Sequence, residues 1–296
     1  NEINSMGLRP LHLAAKCGNV DIYKLLIEKV FVKDPRDNQG LSPFHHSASH
    51  GHLELCCLMI HMGCDPYSLD ILGNTPLHLA ANSDHKKVCE FILHNMHHVN
   101  PANLKGITPF HHLAKNNQLD LCEIIIGKIS DKNPKDNDGN TPLHVAAKSG
   151  HMRICELIIG NINSVSVKNN EGTTPLHEAA KSGHVEICDL LLMNFDQANP
   201  KNVFLKTPLQ YAAENGHVKI CKFLIEKTNY KEDYMPIRLA FENGHSEVGR
   251  LLLKQISDKK GKSYLLETIV KEYLSVFETV MDSKDLNMCR ILFNSL

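Results

Sequence analysis

The sequence predicts an all-α solenoid of stacked antiparallel helix pairs joined by finger-like turns. One observation is a proline that returns every 33 residues, at Pro10, Pro43, Pro76, Pro109, Pro142, Pro175 and Pro208. A second is the phrase Thr-Pro-Leu-His, which occurs at 75–78, 141–144 and 174–177. A fixed period of this length is typical of repeat proteins, in which each unit contacts mainly its sequence neighbours.

Each element of the repeat follows from local sequence signals, as residues 136–168 illustrate. An Asn-Asp-Gly-Asn turn opens the unit, and Thr141 then stands where a hydroxyl can cap a helix. Pro142 suits the first helical position, and Gly150 suits a left-handed helix stop. A second helix starts near His151 with apolar residues at helical spacing. Two short helices of this length need stacking against neighbours for stability.

The period divides the chain into three parts. Residues 1–229 form seven regular repeats. Residues 230–261 form a shortened eighth repeat, because Pro236 follows Pro208 by only 28 residues. Residues 262–296 are expected to form a degenerate ninth repeat or a C-terminal cap.

The pattern of turn, Thr-Pro-Leu-His, two alanines, Gly-His and a second helix with Ile-Cys resembles the ankyrin repeat, over nearly the whole chain. The resemblance implies stacked helical hairpins that bind proteins on a concave groove of finger tips and first helices. Departures from the pattern predict irregular fingers at Arg9 and Ser42, which stand for threonine, at Leu205, which stands for the turn glycine, and at Gln210, which stands for histidine.

Composition narrows the class of protein further. Hydrophobic residues make up 42% of the chain, charged residues 22%, and the formal net charge is −1. No global field therefore attracts nucleic acid or membranes. No apolar run is long enough to span a bilayer, and the first residues do not resemble a signal peptide. We expect a cytoplasmic location, and we hypothesise that longer protein flanks the sequence, which starts at Asn1 and ends at Leu296 within an apolar pattern.

Cysteine and histidine also follow the repeat. The cysteine ladder comprises Cys56, Cys89, Cys122, Cys155, Cys188 and Cys221, at 33-residue intervals. These thiols are expected to be buried apolar filler, whereas Cys17 is expected to be exposed. His45, His78, His111, His144 and His177 are expected to be neutral and hydrogen-bonded. A further series at the start of the second helices, His52, His85, His151, His184 and His217, is also interpreted as structural.

Four other histidines raise the question of a metal site. His94, His97 and His98 lie three and four residues apart, with His61 one repeat earlier. This spacing could hold zinc, but a solvated helix end is the favoured interpretation, because nothing completes a four-ligand set. We assign no metal and no other cofactor. No catalytic motif stands out either, so the chain is not predicted to be an enzyme.

The candidate binding residues are apolar side chains at finger tips and lysines on first helices. The finger residues are Ile71, Leu72, Leu104, Ile107, Val203 and Phe204, and the lysines are Lys115, Lys148 and Lys181. Such clusters suggest contact with a partner. Alternatively, the apolar side chains fold back on adjacent fingers and the lysines form a solvated face. No aromatic platform accompanies the lysines, so nucleic acid is not an expected partner.

The favoured function is a protein–protein interaction scaffold that binds an acidic or apolar partner segment in the groove. One alternative is the cytosolic ankyrin domain of a larger membrane protein, such as a cation channel. Another is a structural module that assembles with other copies. The fold supports all three, because ankyrin arrays serve many roles.

Overall fold

A computed structural model describes residues 3–194, 199–228 and 234–255. This part of the chain contains 16 helices and no strands. The predicted all-α solenoid of helix pairs is therefore confirmed. Each pair consists of a first helix that begins at or next to a repeat proline and a second helix that follows after a short turn.

The helices have the following bounds: α1 Pro10–Cys17, α2 Val20–Lys29, α3 Pro43–Ser49, α4 Leu53–His61, α5 Pro76–Asn82, α6 Lys86–Asn95, α7 Pro109–Lys115, α8 Leu119–Lys128, α9 Pro142–Ser149, α10 Met152–Ile159, α11 Pro175–Ser182, α12 Val185–Met193, α13 Pro208–Glu214, α14 Val218–Thr228, α15 Met235–Glu242 and α16 Ser246–Leu253.

A reciprocal cap starts the first helices, as α5 shows. The backbone N–H of Thr75 donates to Nδ1 of His78 at 3.1 Å, and the backbone N–H of His78 donates to the Thr75 hydroxyl at 3.4 Å. Pro76 occupies the first helical position, where a missing N–H leaves no hydrogen bond unmade. The histidine therefore replaces the glutamate of an ordinary capping box.

The chain falls into two compact units. The first comprises Asn1–Ala146 and His151–Asn163, and the second comprises Ala147–Gly150 and Ser164–Leu296. In the first unit, α1, α3, α5 and α7 pack in succession, and α4, α6, α8 and α10 do the same beside them. In the second unit, α11, α13 and α15 form one row, and α12, α14 and α16 form the other.

The cysteine ladder lies in the core, as predicted. All six thiols have no exposed surface, and burial raises the pKa of Cys56, Cys89 and Cys155 to about 12. These thiols are inert at neutral pH because the reactive thiolate is disfavoured. The nine cysteines of the described residues are free, and Cys17 is exposed, as expected.

The expectation of irregular fingers at the departures from the repeat pattern is wrong. Arg9 and Ser42 donate their backbone N–H groups to the histidine three residues on, at 3.0 and 3.2 Å, as Thr75 does. Gln210 reproduces the same contact, because its Oε1 accepts from the backbone N–H of Thr207 at 3.1 Å. An amide oxygen offers the same acceptor as a neutral imidazole nitrogen.

The helices after the shortened loop keep the packing of the regular repeats. Helix α15 packs on α13, and α16 packs on α14. The loop itself includes residues 229–233, which lie outside the described residues, as does the expected ninth repeat or cap at 262–296. The division into seven regular repeats, a shortened eighth and a ninth stays a prediction.

Candidate protein-binding surface

Each finger is a tight turn that an Asp or Asn side chain holds. In one finger, Oδ1 of Asp70 accepts the backbone N–H groups of Leu72 and Asn74 at 2.8 and 2.7 Å. Gly73 completes the turn with a φ of +76°, a left-handed conformation that suits glycine. The turn therefore projects the two residues after the Asp or Asn at its tip.

Neighbouring fingers are joined through their backbones. In the first unit, the N–H of Ile71 donates to Gln39 O at 3.1 Å, and the N–H of Leu104 donates to Leu72 O at 2.9 Å. In the second unit, the N–H of Val203 donates to Glu171 O at 2.9 Å. These bonds fix the tip residues in a regular row, so their side chains are positioned before any partner arrives.

The predicted apolar tip residues are exposed. Between 50% and 70% of the surface of Ile71, Leu72, Leu104, Val203 and Phe204 is accessible. Ile107 is half-buried, and its carbonyl accepts a hydrogen bond from Nε2 of His78. Some contact with the preceding finger exists, because a Cβ added at Gly40 would lie 3.1 Å from Cγ2 of Ile71. Folding back is therefore partial, and most of each tip faces solvent.

The three predicted lysines lie in the last turn or at the end of their first helices and are exposed. Their backbone carbonyls accept from Nε2 of the histidine that opens the next second helix. The pairs are Lys115 with His151 at 2.8 Å, Lys148 with His184 at 3.2 Å and Lys181 with His217 at 2.9 Å. These contacts confirm the structural role of that histidine series and hold the lysine backbones in place.

Tyr211 forms a cluster that the sequence did not reveal. Nζ of Lys181 lies 5.6 Å and Nζ of Lys206 lies 5.2 Å from the centre of its ring, within cation–π range. Nδ2 of Asn202 donates to the tyrosine hydroxyl at 3.0 Å, and Lys206 pairs with Glu214 at 2.7 Å. One aromatic ring therefore lies beside Lys181, one of the three predicted lysines. Sequence spacing within one repeat could not show this cluster, because Lys181 belongs to the repeat before that of Lys206 and Tyr211.

Leu205 adopts an unusual backbone conformation in the finger of the second unit. Its φ is +58°, where the equivalent Gly172 has +70°. The finger is otherwise regular, because Oδ1 of Asn202 accepts from Phe204 N and Lys206 N at 3.0 and 2.9 Å. A leucine there costs roughly 1–2 kcal/mol relative to a relaxed backbone, and its side chain is 69% exposed.

The hydrogen bonds and the burial of the capping histidines His45 and His78 favour the neutral ring, as predicted. Nε2 of His45 contacts Asn74 O at 3.0 Å, and Nε2 of His78 contacts Ile107 O at 3.1 Å, both carbonyls in the next finger. Burial lowers the pKa of each ring to about 4, and desolvation is the largest cause. Desolvation is therefore the main reason why the ring stays neutral.

The histidines with metal-like spacing lie at the end of α6 and in the loop that follows it. His94 Nδ1 lies 2.7 Å from Glu90 O in its own helix, and the backbone N–H of His97 donates to the hydroxyl of Tyr67 at 2.8 Å. Within residues 3–194, 199–228 and 234–255, no group of three or more metal-ligating side chains occurs. The imidazoles of His94, His97 and His98 are exposed at a helix end and the loop after it.

This arrangement of capped helix pairs, finger turns and a regular stack defines a repeat protein of the ankyrin class. A family model of ankyrin repeats (3 copies) matches residues 1–70, 44–136, 110–202, 154–233 and 193–263. The chain belongs to the ankyrin repeat family. No curated protein matches the sequence. Ankyrin repeats are in general protein–protein interaction modules, and no helix of the described residues is long and apolar enough to cross a membrane.

Proposed function

We propose that the chain is an interaction scaffold whose finger tips and neighbouring first helices bind a partner polypeptide with apolar and acidic side chains. In the first unit, the contact residues are Ile71, Leu72, Leu104, Ile107 and Lys115. In the second unit, they are Lys148, Lys181, Val203 and Phe204. Each unit carries its own apolar tips and basic residues, so each can hold part of a partner.

The observation that carries this proposal is the finger of the second unit. Val203, Phe204 and Leu205 present three consecutive large apolar side chains, each more than 60% exposed. Leu205 does so in a left-handed conformation that glycine would adopt without strain. The side chain gains little from the chain's own core. Its burial in a partner would offset the strain, because burying a leucine contributes about 1.5–3 kcal/mol.

Charge adds selectivity to this apolar contact. Lys181 and Lys206 flank Tyr211, while Glu214 neutralises only Lys206. Exposed ion pairs contribute about 0.2–1 kcal/mol each, so the lysines alone cannot hold a partner. They favour encounter with an acidic segment and disfavour a basic one. A partner segment that alternates aliphatic and acidic residues fits both features.

Finger variants test this proposal. The intact chain carrying Leu72→Asp with Leu104→Asp, or Val203→Asp with Phe204→Asp, serves as bait beside the unaltered chain. Quantitative mass spectrometry should show specific partners lost from both variants while Tm stays within about 2 °C. The control is Met193→Asp, an exposed apolar position at a helix end, which should retain them. Equal capture by all baits would refute the finger surface.

The lysines need a separate test. Lys148→Glu with Lys181→Glu should slow association with the captured partner and flatten its salt dependence, because opposite charges accelerate encounter. The association rate at two ionic strengths measures this effect. An unchanged rate would remove the basic residues from the proposal and leave the apolar tips.

We further propose that the chain works in the cytoplasm. The nine free cysteines of the described residues support a reducing compartment. Two other candidate roles are also proposals. One is the cytosolic domain of a larger membrane protein such as a cation channel, and the other is a structural assembly module.

A further inference from the structure

A cleft separates two successive loops that join repeats in the first unit. One wall is the loop after α6, residues 97–101, and the other is the end of α8 with the loop after it, residues 128–131 and 134. The cleft has a volume of about 430 Å³, and sites for small molecules have volumes of roughly 300–1,000 Å³. None of its lining residues belongs to the proposed protein-binding surface, so a ligand in this cleft occupies a separate site.

The polar groups of the cleft are mainly hydrogen-bond donors. They are the imidazoles of His97 and His98, the ammonium of Lys128 and the hydroxyl of Ser130. Within the described residues, the side chains of His97, His98 and Ser130 make no hydrogen bond to the chain itself. A neutral imidazole offers one N–H and a hydroxyl offers one O–H, so these donors are available to a ligand.

Contacts with neighbouring residues help to position these donors. The Tyr67 hydroxyl accepts the backbone N–H of His97 at 2.8 Å, and the Tyr67 ring packs edge-on against the His98 ring, with 6.1 Å between the ring centres. Nζ of Lys128 donates to Leu93 O, in the last turn of α6, at 2.6 Å. One bond to a neutral carbonyl leaves the ammonium its charge and two further N–H groups. A ligand therefore meets partly positioned donors, which lowers the cost of ordering them.

The groups that would attract a cation already have donors of the chain. Helices α6 and α8 both end beside the cleft, and the C-terminal carbonyls of a helix carry partial negative charge. Lys128 donates to one such carbonyl of α6, and Lys132 donates to two at the end of α8. Oδ1 of Asp131 accepts the backbone N–H of Asn133 at 3.0 Å. Available donors beside satisfied acceptors favour an anion as the ligand.

A metal ion fits the cleft less well than an anion does. His97, His98 and Asp131 line the cleft and carry atoms that can bind metals. However, no three metal-ligating side chains of residues 3–194, 199–228 and 234–255 come together around one point.

Stacking of the repeats does not require this set of donors. One repeat earlier, the positions of His97 and His98 hold Cys64 and Asp65, and one repeat later they hold a serine and an aspartate. Lys128 likewise stands where the preceding repeat has an asparagine. Two imidazoles and an ammonium therefore meet at this junction and not at the two beside it.

The remaining lining of the cleft is apolar. Val99 is buried, and Pro101, Ile129 and Pro134 are half-buried. An apolar group of a ligand can therefore lie against them while its anionic group meets the donors.

We propose that this cleft binds a small soluble phosphate monoester that carries an apolar organic group. A phosphate monoester has three terminal oxygens that accept hydrogen bonds strongly, which matches the number of donors better than the two oxygens of a carboxylate. The phosphate oxygens accept from the two imidazoles, from Lys128 and from Ser130. The organic group lies against the prolines and the aliphatic side chains.

Phenyl phosphate is the probe that tests this proposal. Titration of the full chain, followed by phosphorus-31 NMR of the probe, should show saturable binding with a Kd below about 1 mM. Inorganic phosphate should displace the probe, whereas phenol in tenfold excess, at about ten times the probe concentration, should not, because the phosphate supplies the recognised group.

Variants locate the bound probe. The His97→Ala, His98→Ala chain should bind phenyl phosphate at least about tenfold more weakly, because two donors are lost, and Lys128→Gln should weaken binding because it removes the charge. The matched control is His94→Ala, which removes an exposed imidazole of α6 outside the cleft and should leave the Kd unchanged. Because His97, His98 and Lys128 are exposed, all variants should keep Tm within about 2 °C.

Four outcomes would overturn the proposal. The first is no saturable binding of phenyl phosphate up to about 10 mM, a concentration that detects even weak sites. The second is a loss of affinity in His94→Ala as large as in the His97→Ala, His98→Ala chain. The third is displacement of the probe by phenol as readily as by inorganic phosphate. The fourth is binding to vesicles that contain phosphatidic acid without binding of phenyl phosphate, which would assign the cleft to a lipid headgroup.

Discussion

Replacing Leu205 by glycine and by alanine should reverse the usual stability order of these two residues. Both variants remove the leucine side chain beyond Cβ, so their comparison isolates the backbone. At φ +58°, a Cβ costs roughly 1–2 kcal/mol, while the greater chain freedom of glycine in the unfolded state costs about 0.4–1 kcal/mol. The glycine variant should therefore be more stable than the alanine variant by roughly 0.5–1 kcal/mol.

Urea unfolding followed by circular dichroism measures this difference at equal m-values. Two controls bracket it. At Lys222, an exposed position inside α14, glycine should be less stable than alanine by about 1 kcal/mol. At Gly172, whose φ is +70°, an added Cβ would lie 3.2 Å from Val203 N and 3.3 Å from Asn202 Cα, so Gly172→Ala should destabilise the chain. Leu205→Ala matching or exceeding Leu205→Gly in stability would refute the claim that this finger is strained.

Three further predictions concern the buried network. His78→Ala should lower the free energy of unfolding by about 2 kcal/mol, because it removes the hydrogen-bond partner of two buried backbone groups. His78→Gln should lower it less, because Gln210 already caps its own helix in the same way. Chemical unfolding compares the two variants, and equal losses of stability would contradict the shared capping role. Stability should fall as the pH drops from about 6.5 toward 4 and level off below, because the pKa of His45 is about 4 in the folded chain and near 6.5 in the unfolded chain, which therefore binds the proton first. The loss from this one histidine is roughly 3 kcal/mol at most. Thermal melts across this pH range measure the effect, and a stability that rises toward pH 4 would contradict it. Cys17 should react quickly with a thiol reagent in the folded chain, whereas the thiols of the cysteine ladder should react only after the chain unfolds. The Cys17→Ser variant should therefore lack the fast phase of the reaction. Fast reaction of the ladder thiols would show that they are not buried.

The fold was predictable because its determinants are local and repeated. Thr75, Pro76 and His78 form a helix start within four residues, and the same solution recurs at a fixed spacing. The burial of the cysteine ladder was predictable for the same reason, because equivalent positions in successive repeats have the same surroundings. The irregularity predicted at Gln210 and Leu205 was wrong because a different residue type takes the same geometry there. Gln210 caps its helix as a histidine does, and Leu205 adopts the positive φ of the turn glycine.

The candidate site was only partly predictable. Exposure of Ile71 and Phe204 followed from their place in the turn, but the extent to which Ile71 leans on Gly40 depends on the neighbouring finger. The cluster of Lys181, Tyr211 and Lys206 joins residues from two repeats, so no spacing within one repeat could show it.

The proposed function requires that the finger tips contact a partner. Its most direct test places a photo-crosslinking phenylalanine derivative at Phe204 or Leu72 of the full chain in cells, with Arg153, an exposed position on a second helix, as the matched control. We expect irradiation to join the same partner to both finger positions and not to Arg153. Crosslinks to that partner from Arg153 with none from Phe204 and Leu72 would contradict it.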